Sequence, residues 1–422
     1  MTKIIPQKKA NRVASEQARA DALKLLRGQL FFNDFLSAVK KMGLAGEEKN
    51  ALVVLIVVIS ALLERPLNLT IKGVSAAGKN FLAKVVLYLF PRDARREVSS
   101  MSAKALHYAS MDFRHRVLYL QERNRASGPV HPIRLLISEG RLVHYVPVRE
   151  GSQWVTKKIV ARGPVASIST TTKARLEIDD ETRHVSIFIN ESKKQSLRVM
   201  LAYHRNDKGL TPPEKRVWRI VYRLLKERST TIGIRIPEWF DQMAEKTNRD
   251  DIRVRRYYPA LVEACKTIAL IRSFQTNEPG QHQSIEVSFA DFAMAVLIFD
   301  DVFVESIHGK FGPSIETSRA VERICKEKGR SIRCEDFAEG LSISTSRAYR
   351  LLRKAEAAGT IRLVNKPEKN NPKFFRPVKR RFAPDPEELF NELPEVGDEA
   401  RFVHPVTGDL VIYRRRKPRN DV

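Results

Sequence analysis

The apolar positions of this chain change period between residues 67 and 89. Leu67, Leu69 and Ile71 fall in a short run that reads as a buried strand; after a break, Leu82, Val85, Val86 and Leu89 recur at helical spacing. The break is Gly73-Val-Ser-Ala-Ala-Gly78-Lys79-Asn80. Upstream, 16–26 and 32–42 pattern as amphipathic helices and 48–63 as a buried helix. The apolar run 51–63 is well short of the ~20 residues a membrane-spanning helix needs and is closed by Glu64 and Arg65. Downstream, Val117 to Leu120 form an unbroken apolar run, as in a parallel strand buried on both faces. A short helix over 133–138 precedes two β-rich runs, 143–148 and 154–160, which predict a hairpin about 149–153. A further strand over 164–168 ends in the hydroxyl row Ser169 to Thr172, and another is expected over 185–189.

Beyond residue 210 the texture changes. Helices over 212–227, 236–246 and 252–266, followed by β runs at 268–275 and 284–288, give the order of a winged helix. The order recurs from residue 314: helices over 314–328, 333–340 and 344–358, then strands 360–365 and 373–377 around a 366–372 loop. The expected architecture is an α/β core with an N-terminal helical segment and two C-terminal winged-helix domains. Its boundaries are a disordered basic N-terminus (1–15), a helical segment (16–66), the α/β core (67–205, with hairpin 143–160), winged helices at 210–305 and 312–380, and a loosely attached acidic then basic extension (381–422).

Composition narrows the partners. Over 422 residues the formal net charge is +26, with 43% hydrophobic residues. A compact fold with such an imbalance repels itself unless polyanions neutralise it, so nucleic acid is the expected partner. A basic ribosome-associated or membrane-surface protein is the plainer alternative, but neither needs a phosphate loop. Cys265, Cys325 and Cys334 are too few and scattered for a disulfide framework or zinc spacing, which suits a reducing cytoplasm; no membrane partner is expected.

The chemistry sits in the break between strand and helix. A phosphate-binding loop requires strand, glycine-bearing turn and helix, because small residues let backbone N–H groups and the positive helix end face an anion. Gly73, Ser75, Ala76, Ala77, Gly78, Lys79 and Asn80 fit G-x-x-x-x-G-K, with Lys79 as the mobile charge on the terminal phosphates of ATP. A chance glycine turn before a surface lysine is the competing reading. Asn80 replaces the usual hydroxyl ligand of Mg2+; an amide oxygen can ligate the metal. Gln121 and Glu122 close the 117–120 strand, leaving Glu122 as the single candidate base and a second Mg2+ ligand.

Five blocks in order carry a resemblance: GEEKNALVVLIVVISALLERPLNLTIKGVSAAGKNFL, HRVLYLQE, ISEGRLVHYVPV, GPVASISTTT and DETRHVSIFINESKKQS. Together they resemble the ATPase domain of mobile-element and phage primase/helicase-type proteins, a group similar to minichromosome-maintenance-like AAA+ helicases. The resemblance covers about residues 26–199. It implies that the core over 67–205 is an α/β P-loop NTPase of AAA+-like type, an ATP-driven, ring-forming motor on DNA, hexameric, with a primase or other replication protein as a possible partner. It also implies Thr171 as sensor, Arg183 as the arginine offered to a neighbouring subunit's nucleotide, and a pore-facing hairpin at 143–160. The alternative is a replication initiator or adaptor whose degenerate nucleotide site is a switch; a transcription regulator explains only the last third.

Basic residues mark the expected DNA contacts. Arg149, Lys157 and Lys158 flank the hairpin turn, and Arg253 and Arg256 crowd the start of the 252–266 helix. Arg347, Arg350 and Arg353 leave one face of the 344–358 helix, and Lys369 and Lys373 lie on the second wing. A solvated basic face is the alternative for each set.

Overall fold

The computed structural model describes residues 4–99, 112–121, 130–173, 176–205, 209–249, 251–276, 284–308, 313–357, 360–364, 372–378 and 381–415, and the structural statements below concern these. The chain divides into two compact units, 1–303 with 383–422, and 304–382.

The first unit is built on a parallel five-stranded sheet in the order β2-β3-β6-β1-β7. These strands are β1 (Asn68–Lys72), β2 (Arg95–Val98), β3 (Arg116–Leu120), β6 (Val165–Thr171) and β7 (Val185–Phe188). The apolar runs read as buried strands become β1, β3, β6 and β7, and β6 is buried along its whole length. β2, read as a basic polar segment, is instead the sheet's edge strand, where charged side chains can remain in water. The buried helix α3 (Glu48–Ser60) follows α1 (Ile4–Arg27) and α2 (Phe31–Lys41). Ten consecutive residues of α3, Ala51 to Ser60, are buried, so it is a core helix. Among the described residues no helix is long and apolar enough to cross a membrane. Helix α1 starts at Ile4, so residues 4–15, read as part of a disordered segment, are the first part of a helix running on through 27.

α4 (Lys79–Leu87) leaves β1, and α5 (Val130–Glu139) leads into the hairpin β4 (Arg141–Glu150)–β5 (Gln153–Arg162). The hairpin is longer than its β-rich runs suggested, pairing from Arg141↔Arg162 to Glu150↔Gln153. Gly151 turns it with φ +67, a conformation glycine adopts at little cost. The short α6 (Ile178–Glu181) precedes β7, and α7 (Lys193–Arg205) follows it.

The remainder of this unit differs from the winged-helix expectation. α8 (Pro212–Thr231), α9 (Phe240–Lys246) and α10 (Val254–Thr276) match the three helices, but α10 runs through 268–275, which was read as a strand. Ile268, Ala269, Leu270 and Ile271 are all buried. A helix enclosed on every side shows an apolar run that periodicity cannot tell from a strand. No wing can form from that pair of runs. Instead β9 (Ser284–Glu286) pairs parallel with β8 (Gly233–Arg235), and α11 (Phe289–His308) follows. A capping box at Thr211 and Glu214 starts α8, which is fixed to α2 by Trp218 against Phe31 and Phe35 (ring centroids 5.9 and 6.0 Å) and by Lys41 on Glu214 at 2.8 Å. Lys41 and the Thr211 N–H hold the Glu214 carboxyl down at about 2.

In the C-terminal extension the helix expected within 384–399 and the hairpin expected from 401–404 and 410–413 are present, and the loose attachment alone departs from its reading. α15 (Pro386–Glu392) and the hairpin β12 (Glu399–Val403)–β13 (Leu410–Arg414) pack onto the first unit, with Leu389, Phe390 and Leu393 buried. Phe390 and Tyr413 meet Phe289 at 5.1 and 5.9 Å between ring centroids. Ala383 N–H donates to Asp300 at 2.9 Å, so the returning chain is fixed beside the point where it left.

The second unit contains α12 (Pro313–Lys328), α13 (Cys334–Leu341), α14 (Thr345–Ala357) and an antiparallel pair, β10 (Ile361–Leu363) and β11 (Phe375–Pro377). Val321, Ile324, Ile332, Phe337, Leu352 and Phe375 are its core. Asp336 caps α13, accepting from Arg333 N–H at 2.8 Å and from Lys328 at 2.8 Å. Its burial opposes ionisation, but these donors with Arg330 hold its carboxyl well below the usual range.

Candidate nucleotide-binding site

The sheet order places β1 between β6 and β7, so the crossover from β6 to β7 passes over the strand that carries the glycine loop. In open α/β sheets the crevice at the carboxyl ends of such strands is where ligands bind. Residues 73–78 occupy that crevice. Gly78 (φ +92) caps α4, and Ala76 is left-handed at φ +63, a conformation a residue with a Cβ rarely takes. Among the described residues the N–H groups of Ser75, Ala76 and Gly78 have no acceptor. They lie at the positive end of α4. Lys79 is 8% exposed and its Nζ donates to the carbonyls of Gly73 (2.9 Å) and Val74 (2.5 Å). A buried ammonium turned onto two neutral carbonyls beside open N–H groups suits an anion.

Neighbours that the sequence reading did not assign shape this loop. Glu191, just beyond β7, accepts from Val74 N–H at 2.7 Å, and a Cβ added at Gly73 would lie 3.2 Å from its carboxylate. Asn80 Oδ1 accepts from Thr170 Oγ1 (2.8 Å) and from the Tyr119 hydroxyl (3.2 Å). Burial, with lesser effects of Glu97 and Tyr88, pushes the Tyr119 phenol well above its ordinary value, so it stays a donor. Behind the loop the fully buried Lys72 pairs with Glu181, which also accepts from Leu176 N–H at 2.9 Å. Of these, only Thr170 lay in a stretch singled out for chemistry, the hydroxyl row. Glu191, Tyr119 and the Lys72–Glu181 pair depend on distant segments, for which local patterning holds no signal.

The predicted residues separate into those brought to the loop and those not. Thr171 is buried at the end of β6, opposite Lys72 in register, and its Oγ1 accepts from Lys173 N–H. Its neighbour Thr170, on the other face of the strand, is the one that reaches Asn80. Glu122 lies outside the described residues; Gln121 is half-buried at the end of β3. Thr170 and Tyr119 engage both acceptor positions of Asn80 Oδ1, and among the described residues no group of three or more His, Cys, Asp or Glu side chains could hold a metal ion. Arg183 stands at the opposite, amino-terminal end of the strands. Val185 pairs with Leu69, so Arg183 is level with the entry to β1, about 20 Å from the loop at roughly 3.3 Å per residue. Its Nε donates to Ser138 Oγ at 3.0 Å, and with Arg65, Arg256 and Glu263 it lines a cavity of about 140 Å³.

The basic residues assigned to DNA are similarly divided. Arg149, Lys157 and Lys158 are exposed on the hairpin, Lys157 paired with Glu150 at 3.3 Å. Arg253 is matched two-pronged by Asp251 just before α10, and Arg256, exposed, lines the cavity beside Arg183. Arg347, Arg350 and Arg353 are exposed on α14, and Lys373 Nζ lies 5.7 Å over the Tyr349 ring. Lys369 lies outside the described residues.

No protein-family description matches this sequence, and no curated protein matches it. Among solved structures it is similar to the active helicase Cch of SCCmec type IV, at 12% identity and TM-score 0.34 over 78% of this chain and 67% of that one. It is also similar to the Aeropyrum pernix Orc1 protein in complex with DNA, at 12% identity and TM-score 0.26 over 83% and 93%. A third, the apo C-terminal region of NrS-1, shares 9% identity at TM-score 0.27 over 82% and 75%. At such scores these likenesses carry no argument, and the function is read from the loop.

Proposed function

We propose that the chain is an ATP-dependent DNA motor of AAA+ type that works as a ring, hexameric by its resemblance to helicases of mobile elements. The observation that carries this is the loop 73–80: open N–H groups at the head of α4 and a buried lysine folded onto two carbonyls. ATP displaces the lysine from those carbonyls, and Lys79 and the loop N–H groups take its phosphates. Arg183, a strand's length away, cannot serve its own loop and is supplied to the next subunit, with Glu122 as the base. α7 supports an assembled state, since Leu197, Met200 and Leu201 are exposed just beyond Glu191. The 304–382 unit, with three helices and an antiparallel pair, is read as a winged helix that grips DNA through Arg347, Arg350 and Arg353 on α14.

A second reading, an initiator or adaptor using the loop as a switch, is favoured by one observation. Asn80 is tied to Tyr119 and Thr170, and so offers binding of the nucleotide a way to move β3 and β6 without turnover. DNA-stimulated phosphate release measured beside strand displacement decides between them. Release with displacement, both lost in Lys79→Ala, supports the motor. Nucleotide binding without release supports the switch, and wild-type ATP affinity in Lys79→Ala overturns both.

A further inference from the structure

Lys72 ends β1 immediately before the phosphate loop and is 1% exposed. Its ammonium pairs with Glu181, the last residue of α6, whose side chain is 13% exposed. Neither side chain has a part in the nucleotide chemistry above. The Glu181 carboxylate also accepts from Ser186 Oγ at 3.3 Å, and Ser186 stands opposite Thr70 in register. The lysine side chain therefore reaches back from the loop end of β1 by up to about 7 Å, two residues of strand, toward the end where Arg183 stands. Arg183 follows Glu181 by two residues, so the pair joins the foot of the phosphate loop to the segment that carries the arginine.

Ion pairs hold α6 from two sides. Three of its four residues are acidic. Arg134 of α5 takes Asp180 and, at 3.0 Å, the preceding Glu177, while Lys72 takes Glu181. The two sides differ in kind. Glu177 is open to water, whereas the Lys72 ammonium is sealed, with the Phe188 ring centroid 5.4 Å away. Withdrawing two opposite charges from water costs about what their attraction returns, and an apolar pair of similar volume commonly holds a core as well or better. Stability does not account for such a pair; a required register between two segments does.

We propose that Lys72 and Glu181 are a positioning pair, which sets α6, and with it Arg183, at a fixed reach from the strand that carries the phosphate loop. This role rests on the shared-site reading, in which Arg183 serves the next subunit's nucleotide, and it names the side chains that hold the arginine ready.

Lys72→Met combined with Glu181→Gln tests it on the full chain. Both charges go, the glutamine still accepts from Leu176 N–H and Ser186 Oγ, and the Tyr257 hydroxyl still anchors the residue-181 carbonyl at 3.1 Å. The denaturation midpoint should be kept and ATP affinity should stay within about twofold, while phosphate release falls by about tenfold or more in kcat with KM little changed. Mixing then shows which half of the shared site is lost. With Lys79→Ala subunits, which supply a correctly held Arg183, release should return; with Arg183→Ala subunits it should not. Recovery with Arg183→Ala subunits alone would mean that the pair serves its own loop, and that or any other pattern overturns the positioning role. So does unchanged release, or a midpoint well below wild type, which would make the pair a plain structural tie. Arg183→Ala mixed with Lys79→Ala is the control. Recovery there beside a failed pattern sinks the positioning role alone, and no recovery there sinks the shared site and the role with it.

Discussion

Glu191 occupies the phosphate loop with a negative charge of its own, and removing that charge should tighten nucleotide binding. Its carboxylate is 2.7 Å from Val74 N and against Gly73, so a phosphate on the neighbouring N–H groups lies about 7 Å away, one loop width. For an exposed pair at that distance in water, Coulomb's law gives about 0.6 kcal/mol per unit charge, or ~1.2 kcal/mol against a doubly charged phosphate. With a Debye length of ~8 Å at physiological salt, screening leaves about 0.5 kcal/mol, and with ~30 Å at low salt about 1 kcal/mol. Glu191→Gln keeps an oxygen for Val74 N–H while losing the charge. Its ATP affinity should therefore rise about twofold at physiological salt and about fivefold at low salt. Calorimetric titration at two ionic strengths reads this directly. Weaker binding in Glu191→Gln, or a gain independent of salt, would refute the reasoning and show that the carboxylate orders the loop instead.

Thr170→Val keeps shape in a fully buried place but removes one of the two bonds to Asn80; the denaturation midpoint should fall by an amount equivalent to about 1 kcal/mol, and an unchanged midpoint would show the bond to be idle. Because Arg183 is at the far end of the strands from its own loop, Arg183→Ala and Lys79→Ala subunits, each inactive, should regain phosphate release when mixed, whereas mixed assemblies without recovery would count against a shared site. Arg347→Ala, Arg350→Ala and Arg353→Ala should each cost ~1–3 kcal/mol on a preferred sequence and less on random DNA, as footprinting would show; equal losses on every sequence would reduce the face to a simple electrostatic patch. The folded Glu214 carboxyl sits at about 2, below its unfolded value, so its stabilisation of the α8 start is full above the ordinary carboxylate range and lost as pH falls through about 4 to 2. Acid unfolding of Glu214→Gln should lack that contribution, and superimposable curves would refute it.

What could be read from the chain depended on whether a feature is local. β1, its loop and α4 were legible because glycine spacing and a change of period act within twenty residues. β3 was legible as an unbroken apolar run, as a strand covered on both faces shows, and β6 and β7 as shorter apolar runs broken by serine. The same rule misled at 268–275, where a helix enclosed by the core shows the identical run. β2 was missed for the opposite reason: Arg95, Arg96 and Glu97 look like a loop, and only the sheet beside them makes an edge strand. At the loop, Lys79 announced itself, whereas Glu191, Tyr119 and Thr170 converge from segments 39 to 117 residues away and are assembled only by folding.

The bond from Ala383 to Asp300 has a topological consequence. Residues 304–382 leave and re-enter the first unit at neighbouring points, so they form a folded insertion held at both ends rather than a tail on one linker. The ends of the insertion are already together, and excising it would require only a short bridge, with little loop-closure entropy at stake. Cutting the chain at 303 is a different operation. It would also strip Leu389, Phe390 and Leu393 from the first unit and bare Phe289 to water. A graft of another folded segment between 303 and 383 would therefore replace the second unit while leaving the core of the first closed.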